Sequence, residues 1–274
     1  NMDRIIEHVL SGDCKIRDFL KTRYSGRRMR FLRQEGCLLK NGEPATVADR
    51  ARAGDRLTLI FKETASFDYA PEDLGIVPVY EDEDVLVVFK PRGVPSMPAA
   101  PHFTGNLYCG LKFLFPDGVF RVVTRLDKDT SGLVLLAKNA AAHSFFYKNI
   151  REIEKTYIAV ASGELTAPLT IDAPIATDSS PKRYVAESGK SAKTHIIAAK
   201  PHSRGTLVTV RIDTGRTHQI RVHLAHIGHP IVGDSLYGDG GGGQLLCCVG
   251  LSFPHPVTGK KLSFSCDPPD YFGI

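Results

Sequence analysis

No run of apolar residues in this 274-residue chain approaches the roughly 18 positions that a membrane-spanning helix needs. That excludes a transmembrane-helix class, and the charged opening residues, which lack a signal-peptide core, predict a cytoplasmic protein. Cysteine motifs are missing as well. Cys14, Cys37, Cys109, Cys247, Cys248 and Cys266 form no C-x-x-C pair, and the adjacent Cys247 and Cys248 cannot readily close a structural disulfide. They read as small buried hydrophobes, with neither a disulfide frame nor a zinc site. The glycine run at residues 240–243 lacks the Lys-Ser/Thr ending of a nucleotide P-loop and is predicted to be a mobile loop. Ser131 has no G-x-S-x-G elbow around it, which removes a hydrolase nucleophile. His218, His223, His226 and His229 show no H-E-x-x-H spacing and no completing carboxylate. On one helix, positions 218 and 223 point to different faces while 223 and 226 share one, and without a completing carboxylate no metal is assigned. The acidic residues 81–84 lack companion ligands and read as a solvated turn. Internal repeats are absent.

What is present supports a packed, globular chain. Hydrophobic residues make up 42% and charged residues 24%, proportions that allow a sizeable core. The length suits one large domain, alone or with a small companion. The formal charge of +5 is unevenly placed. Residues 1–63 hold 14 Lys and Arg against 9 Asp and Glu, whereas residues 64–274 hold 21 of each. A basic excess confined to one segment points to docking on a polyanion. Within that segment Ile16, Phe19 and Leu20 recur at helical spacing. A second helix is predicted over residues 27–35, with Arg27, Arg28, Arg30 and Arg33 around the apolar Met29, Phe31 and Leu32. Gly36 is its stop. Asn41 and Gly42 signal a tight turn, and Gly54 and Asp55 precede a short strand at residues 57–61.

Pro71, Gly75 and Pro78 mark a linker before a fully apolar strand at residues 85–89 and a turn at residues 90–93. A loop punctuated by Pro and Gly follows through residue 106. Strand-like runs occupy residues 156–161, 191–199, 207–212 and 261–265, and helical spacing fits residues 140–151 and 218–226. The most informative segment is residues 124–139, TRLDKDTSGLVLLAKN. Asp127, flanked by Arg125 and Lys128, is followed by a turn cluster and then by an apolar run. That order puts a carboxylate on a tight loop leading into a buried strand, where a rigid support can aim it.

This segment resembles the catalytic motif of the RluA-type pseudouridine synthases. Four further segments match that family in order: VLVVFKPRG at 85–93, EKTY at 154–157, TGRTHQIRVHL at 214–224 and FPHPVTG at 253–259. His229 and Pro230, with Gly233 and Asp234, continue the third. The resemblance spans roughly residues 76–266. Residues 13–63 are similar to the S4 domain, a small RNA-binding module, most specifically at Asn41, Gly42, Gly54 and Asp55. Together these imply an α+β chain: an S4-like domain at 1–66, a linker at 67–79 and a catalytic domain at 80–274. The catalytic domain is expected to hold a central mixed, mostly antiparallel sheet with flanking helices and loops.

The resemblance implies an isomerase that detaches uracil N1 from ribose C1′, turns the base and rejoins it through C5, with no cofactor and no metal. It assigns Asp127 as the essential carboxylate, Arg221 as its ion-pair partner and Tyr157 as the active-site tyrosine. Arg125 is assigned to the gap left by the extruded nucleotide, since a stacked base cannot turn about its own bond. Lys128 and the arginines at 27, 28, 30 and 33 are candidate RNA contacts, because guanidinium groups clamp phosphates without reading sequence. Two positions depart from the family: Thr124 where histidine is common, and Cys247, near which it often has histidine. The expected substrate is RNA, foremost large-subunit ribosomal RNA with transfer RNA as the alternative, acted on by a monomer. The rival readings are a non-catalytic RNA-binding or ribosome-assembly protein on the same scaffold, kept open by Thr124, and a metal-dependent hydrolase.

Overall fold

The computed structural model describes residues 4–24, 29, 32, 36–61, 69–98 and 103–274. The first part of the chain contributes β1 (Arg4–Val9), β2 (Cys14–Lys15), α1 (Ile16–Arg23), β3 (Leu38–Lys40), β4 (Glu43–Pro44), β5 (Arg50–Ala51) and β6 (Arg56–Phe61). Strands in the order β1-β6-β3-β4 make one sheet, and β2 pairs with β5. Ile16 and Leu20, at the predicted helical spacing, are buried with Leu57, Leu59 and Phe61 in a core of their own, which Ala141 also joins. Asn41 and Gly42 both take positive φ (53° and 88°), the geometry of a tight hairpin turn between β3 and β4. The arginines of the predicted basic helix lie outside the described residues. Its apolar positions Met29 and Leu32 are buried in the same core.

The larger part contains β7 (Val77–Glu81), β8 (Val85–Lys90), α2 (Leu107–Leu114), β9 (Arg121–Val122), β10 (Ser131–Ala137) and α3 (Ala140–Lys148). It continues through β11 (Glu154–Ala161), β12 (Leu169–Asp172), β13 (Ile175–Ala176), β14 (Tyr184–Val185), β15 (Lys193–His202) and β16 (Gly205–Ile212). Last come α4 (Gln219–His226), β17 (Leu246–Pro254), β18 (Lys261–Ser265) and a 3₁₀ turn at Asp270–Phe272. One sheet runs β12-β15-β16-β11-β17-β10-β8-β7, with β18 beside β17 and β9 beside β10. Among the described residues only the β10–β17 pairing is parallel, so the sheet is mixed and mostly antiparallel within an α+β fold, as predicted.

Burial on both faces explains why β8 and β10 are continuous apolar runs. Leu86, Val88, Val134 and Leu136 point into the principal core. Their neighbours Val85, Val87, Leu133 and Leu135 point the other way, onto Phe146 of α3. Asn139 starts α3 by accepting a hydrogen bond from the Ala142 amide at 2.8 Å, and Asn106 starts α2 by accepting from Tyr108 at 3.0 Å.

Several local expectations change. β7 begins at Val77, inside the stretch read as a linker. The acidic turn is not wholly solvated: Asp84 is buried and bonded by Asn139, while Asp82 accepts from the amides of Asp84 and Val85 and contacts His255. Backbone and side-chain donors therefore engage these carboxylates. The helix predicted from residue 218 starts at Gln219, leaving His218 outside it, so the comparison of helix faces does not apply to that histidine. The glycine loop makes polar contacts: Arg92 donates to the Gly242 carbonyl at 2.7 Å, and the Gly240 amide donates to Asp234 O at 3.2 Å.

Gly132 is the tightest point of the sheet. Its φ is +120°, and a Cβ there would lie 2.3 Å from the Cys248 carbonyl oxygen across the parallel pairing. A side chain would force β10 from β17 directly after the Asp127 loop. Gly132→Ala is expected to destabilise the protein by about 1–3 kcal/mol in urea unfolding, and a loss below about 0.5 kcal/mol would contradict this account.

Candidate active site

The Asp127 loop is held from several sides before any charge is considered. Thr124 is buried, and its Oγ1 accepts the Leu135 amide at 2.9 Å, stitching the loop to β10. Ser96 brackets Leu126, donating to its carbonyl at 2.7 Å and accepting its amide at 3.0 Å. The Thr130 amide closes the turn onto the Asp127 carbonyl at 3.1 Å. Behind it, the fully buried Lys90 ammonium donates to the carbonyls of Pro91, Val94 and Lys128 at 2.9, 2.7 and 3.1 Å. Gln244 donates to Thr130 Oγ1 at 2.7 Å, and Tyr271 donates to Ser131 Oγ at 2.8 Å, with Arg92 stacked 3.8 Å from the Tyr271 ring centre.

Onto this frame α4 brings Arg221, which is 5% exposed at its side chain. Its Nε and Nη2 donate to the two oxygens of Asp234 at 2.7 and 2.8 Å, and its Nη1 donates to Asp127 Oδ2 at 3.1 Å. Asp234 Oδ1 also accepts the Leu236 and Tyr237 amides at 2.9 and 3.2 Å. Burial opposes both charges, but the bidentate contact and the amides outweigh it, holding the guanidinium above and the Asp234 carboxyl below their usual ranges. Asp234 thus fixes the fork, and the remaining nitrogen reaches Asp127. The Asp127 side chain is 26% exposed, so its carboxylate is held from within and open on one side.

Tyr157 is buried on β11 directly after a register shift between Thr156 and Tyr157, the kind of irregularity that re-aims a side chain. It pairs with Cys248, which in turn pairs with Gly132, so three adjacent strands carry it toward the Asp127 loop. Burial, reinforced by Cys248 and Asp127, pushes its phenol well above the ordinary value. Arg125 and Lys128 are exposed on the loop. A cleft of about 760 Å³ begins at Thr124 and is lined by Arg151, Lys155, Thr156, Arg211 and Arg216 among others; Asp127 is not in its wall. That volume admits a nucleotide or more.

An RNA pseudouridylate synthase family model matches residues 84–226. An uncharacterized RNA pseudouridine synthase of Bacillus subtilis, YlyB, is 38% identical over 253 residues, 86% of this chain and 84% of that one. The ribosomal large subunit pseudouridine synthase D of Pseudomonas aeruginosa is 34% identical, covering 87% of this chain and 82% of that protein. The chain belongs to the RNA pseudouridine synthase family. Among solved structures, human RNA pseudouridylate synthase domain containing 1 matches with a TM-score of 0.60 and 26% identity, over 74% of this chain and 87% of that one. This synthase is accordingly an isomerase that converts uridine in RNA to pseudouridine.

Three contributors to this candidate site had no role assigned from sequence: Asp234, His218 and Lys90. The doublet Gly233 and Asp234 was visible as a motif, but only the fold shows its carboxylate on Arg221. His218 had been weighed solely as a metal ligand. Lys90 was read as part of a turn, whereas it ends β8 with its ammonium beneath the loop.

Burial lowers the Lys90 pKa to about 7, against the opposing pull of Asp129 and Asp127. Between that value and the ordinary lysine range of about 10.5, the unfolded chain binds a proton that the folded protein has begun to release. This residue therefore makes stability rise with pH across that window. Urea unfolding at pH 7 and pH 9 is expected to show a smaller rise for Lys90→Met than for wild type; an equal rise would show that Lys90 is not the source.

Proposed function

We propose that this synthase modifies large-subunit ribosomal RNA, with Asp127 as its reacting carboxylate. The observation that carries this reading is the Arg221 fork. It is saturated by Asp234 on one side and delivers its last nitrogen to a partly exposed Asp127 on the other. A carboxylate that stays charged while a nucleotide covers it needs such a cation beside it. Tyr157 then packs against the extruded uracil, its phenol kept protonated by burial. In the isomerisation the N1–C1′ bond breaks, the base turns, C5 bonds to C1′, C5 gives up its proton and N1 gains one. The atoms balance without an oxidant, a phosphate donor or a metal.

The proposed docking surface has three parts. Arg125 fills the space vacated by the flipped nucleotide, and Lys128 contacts phosphate beside it. The cleft with Arg151, Arg211 and Arg216 takes the flanking strand, and the first 66 residues act as an S4-like module through Arg27, Arg28, Arg30 and Arg33. The substrate class follows the name of the Pseudomonas relative, and a cytoplasmic, monomeric enzyme fits it. Thr124, which had kept a non-catalytic reading open, is occupied with the Leu135 amide and leaves Asp127 and Arg221 paired.

Asp127→Asn is expected to lower conversion of a large-subunit RNA transcript by on the order of 10³-fold or more while RNA binding persists. Carbodiimide mapping of pseudouridine gives the readout, and near-normal turnover by this variant would refute the assignment. Arg151→Ala and Arg211→Ala are each expected to raise KM about tenfold and to lessen the salt dependence of binding by about 0.7 in log–log slope per lost phosphate contact. Unchanged slopes would place the strand elsewhere.

A further inference from the structure

We propose that His218 is a positioning residue for Asp127: together with Arg221 it fixes Oδ2 as the protein-bound oxygen and presents Oδ1 to the nucleotide. This rests on Asp127 being the reacting carboxylate. Three independent features converge on it.

The first is placement. His218 Nε2 lies 3.9 Å from Asp127 Oδ2, the same oxygen that accepts from Arg221 Nη1 at 3.1 Å. Among the described residues, no hydrogen bond reaches Oδ1. A ring or carboxylate movement of about an ångström would close the Nε2 contact, and catalytic hydrogen bonds are commonly long before substrate binds.

The second is backbone strain. His218 has φ 58° and ψ 18°, a left-handed conformation that a residue with a Cβ adopts at a cost. The surroundings enforce it. Gln219 Oε1 accepts from the Thr214 hydroxyl at 2.7 Å and the Arg216 amide at 3.1 Å, while its Nε2 donates to the Lys193 carbonyl at 2.9 Å. The preceding loop is thereby pinned, and the imidazole is turned toward the Asp127 pocket instead of into α4.

The third is proton direction. The Arg183 amide donates to the Tyr237 hydroxyl oxygen at 2.7 Å, and that hydroxyl lies 3.0 Å from His218 Nδ1. With the oxygen accepting an amide, its own proton is free to go to Nδ1, which leaves the imidazole proton on Nε2, facing Asp127. Burial favours the neutral ring, and Arg221 and Arg183 oppose a further positive charge, although Asp127 and Asp234 pull the other way. A neutral donor supports the carboxylate without competing with Arg221 for its charge.

The test uses the full chain and a large-subunit ribosomal RNA transcript. Asn tolerates left-handed backbone and can keep the Tyr237 contact, but its amide stops short of Asp127. Gln places an N–H near the original Nε2. His218→Asn is expected to lose about thirtyfold in kcat with KM within about twofold, and His218→Gln to recover most of that loss. Nitrogen NMR of labelled histidine, which needs no turnover, should show the Nε2–H tautomer at position 218 in wild type and a mixture in Tyr237→Phe. Equal kcat for Asn and Gln variants, an effect confined to KM, or an Nδ1–H tautomer in wild type would each overturn the proposal. If wild type forms no pseudouridine, the reading of Asp127 fails too; an active wild type indifferent to position 218 sinks this inference alone.

Discussion

One guanidinium shared between two carboxylates holds the site together. Arg221 spends two nitrogens on Asp234, which is fully buried and also accepts two backbone amides, before its third nitrogen reaches Asp127. Taking such charges out of water costs several kcal/mol per ion. The arrangement is stable because each guanidinium nitrogen faces a carboxylate oxygen and Asp234 accepts from both Arg221 and the backbone. Removing Asp234 would leave a buried cation with one partly exposed neighbour, the situation in which a broken buried pair costs about 3–5 kcal/mol. The inner pair therefore orders the outer one.

The sheet supplies the second constraint. Its parallel junction, β10 against β17, stands directly behind the Asp127 loop and brings the backbones so close that only glycine fits at position 132. The same junction aligns Cys248 with both Gly132 and Tyr157, so loop and tyrosine are referenced to one strand. Rigid strands behind a carboxylate-bearing loop are what aiming that carboxylate requires.

Much of this was legible from residues alone, for identifiable reasons. The apolar run after Asp127 could only be a strand covered on both faces, and the glycines and asparagine of the first 61 residues marked turns by the φ values they permit. The pairing of Arg221 with Asp127, 94 positions apart, was readable only through family resemblance, since periodicity carries no information across such separations. The same limit hid Asp234 and Tyr237, whose roles depend on packing between α4 and the loop that follows it. Residue 218 was misplaced because helical spacing continued one position beyond the helix, while the backbone there is left-handed. Helix α2 and strand β17 were also missed: α2 followed a segment read as loop, and β17 followed a glycine run that drew attention to flexibility.

The turn at Asp270–Phe272 has a consequence for the order in which the molecule is made. Phe272 is buried in the principal core, and Tyr271 is bonded to Ser131 and stacked on Arg92, so a segment translated some 140 positions after the Asp127 loop helps shape it. A growing chain carries the aspartate long before it carries this brace. The braced form of the loop is therefore reached only once synthesis has passed the turn.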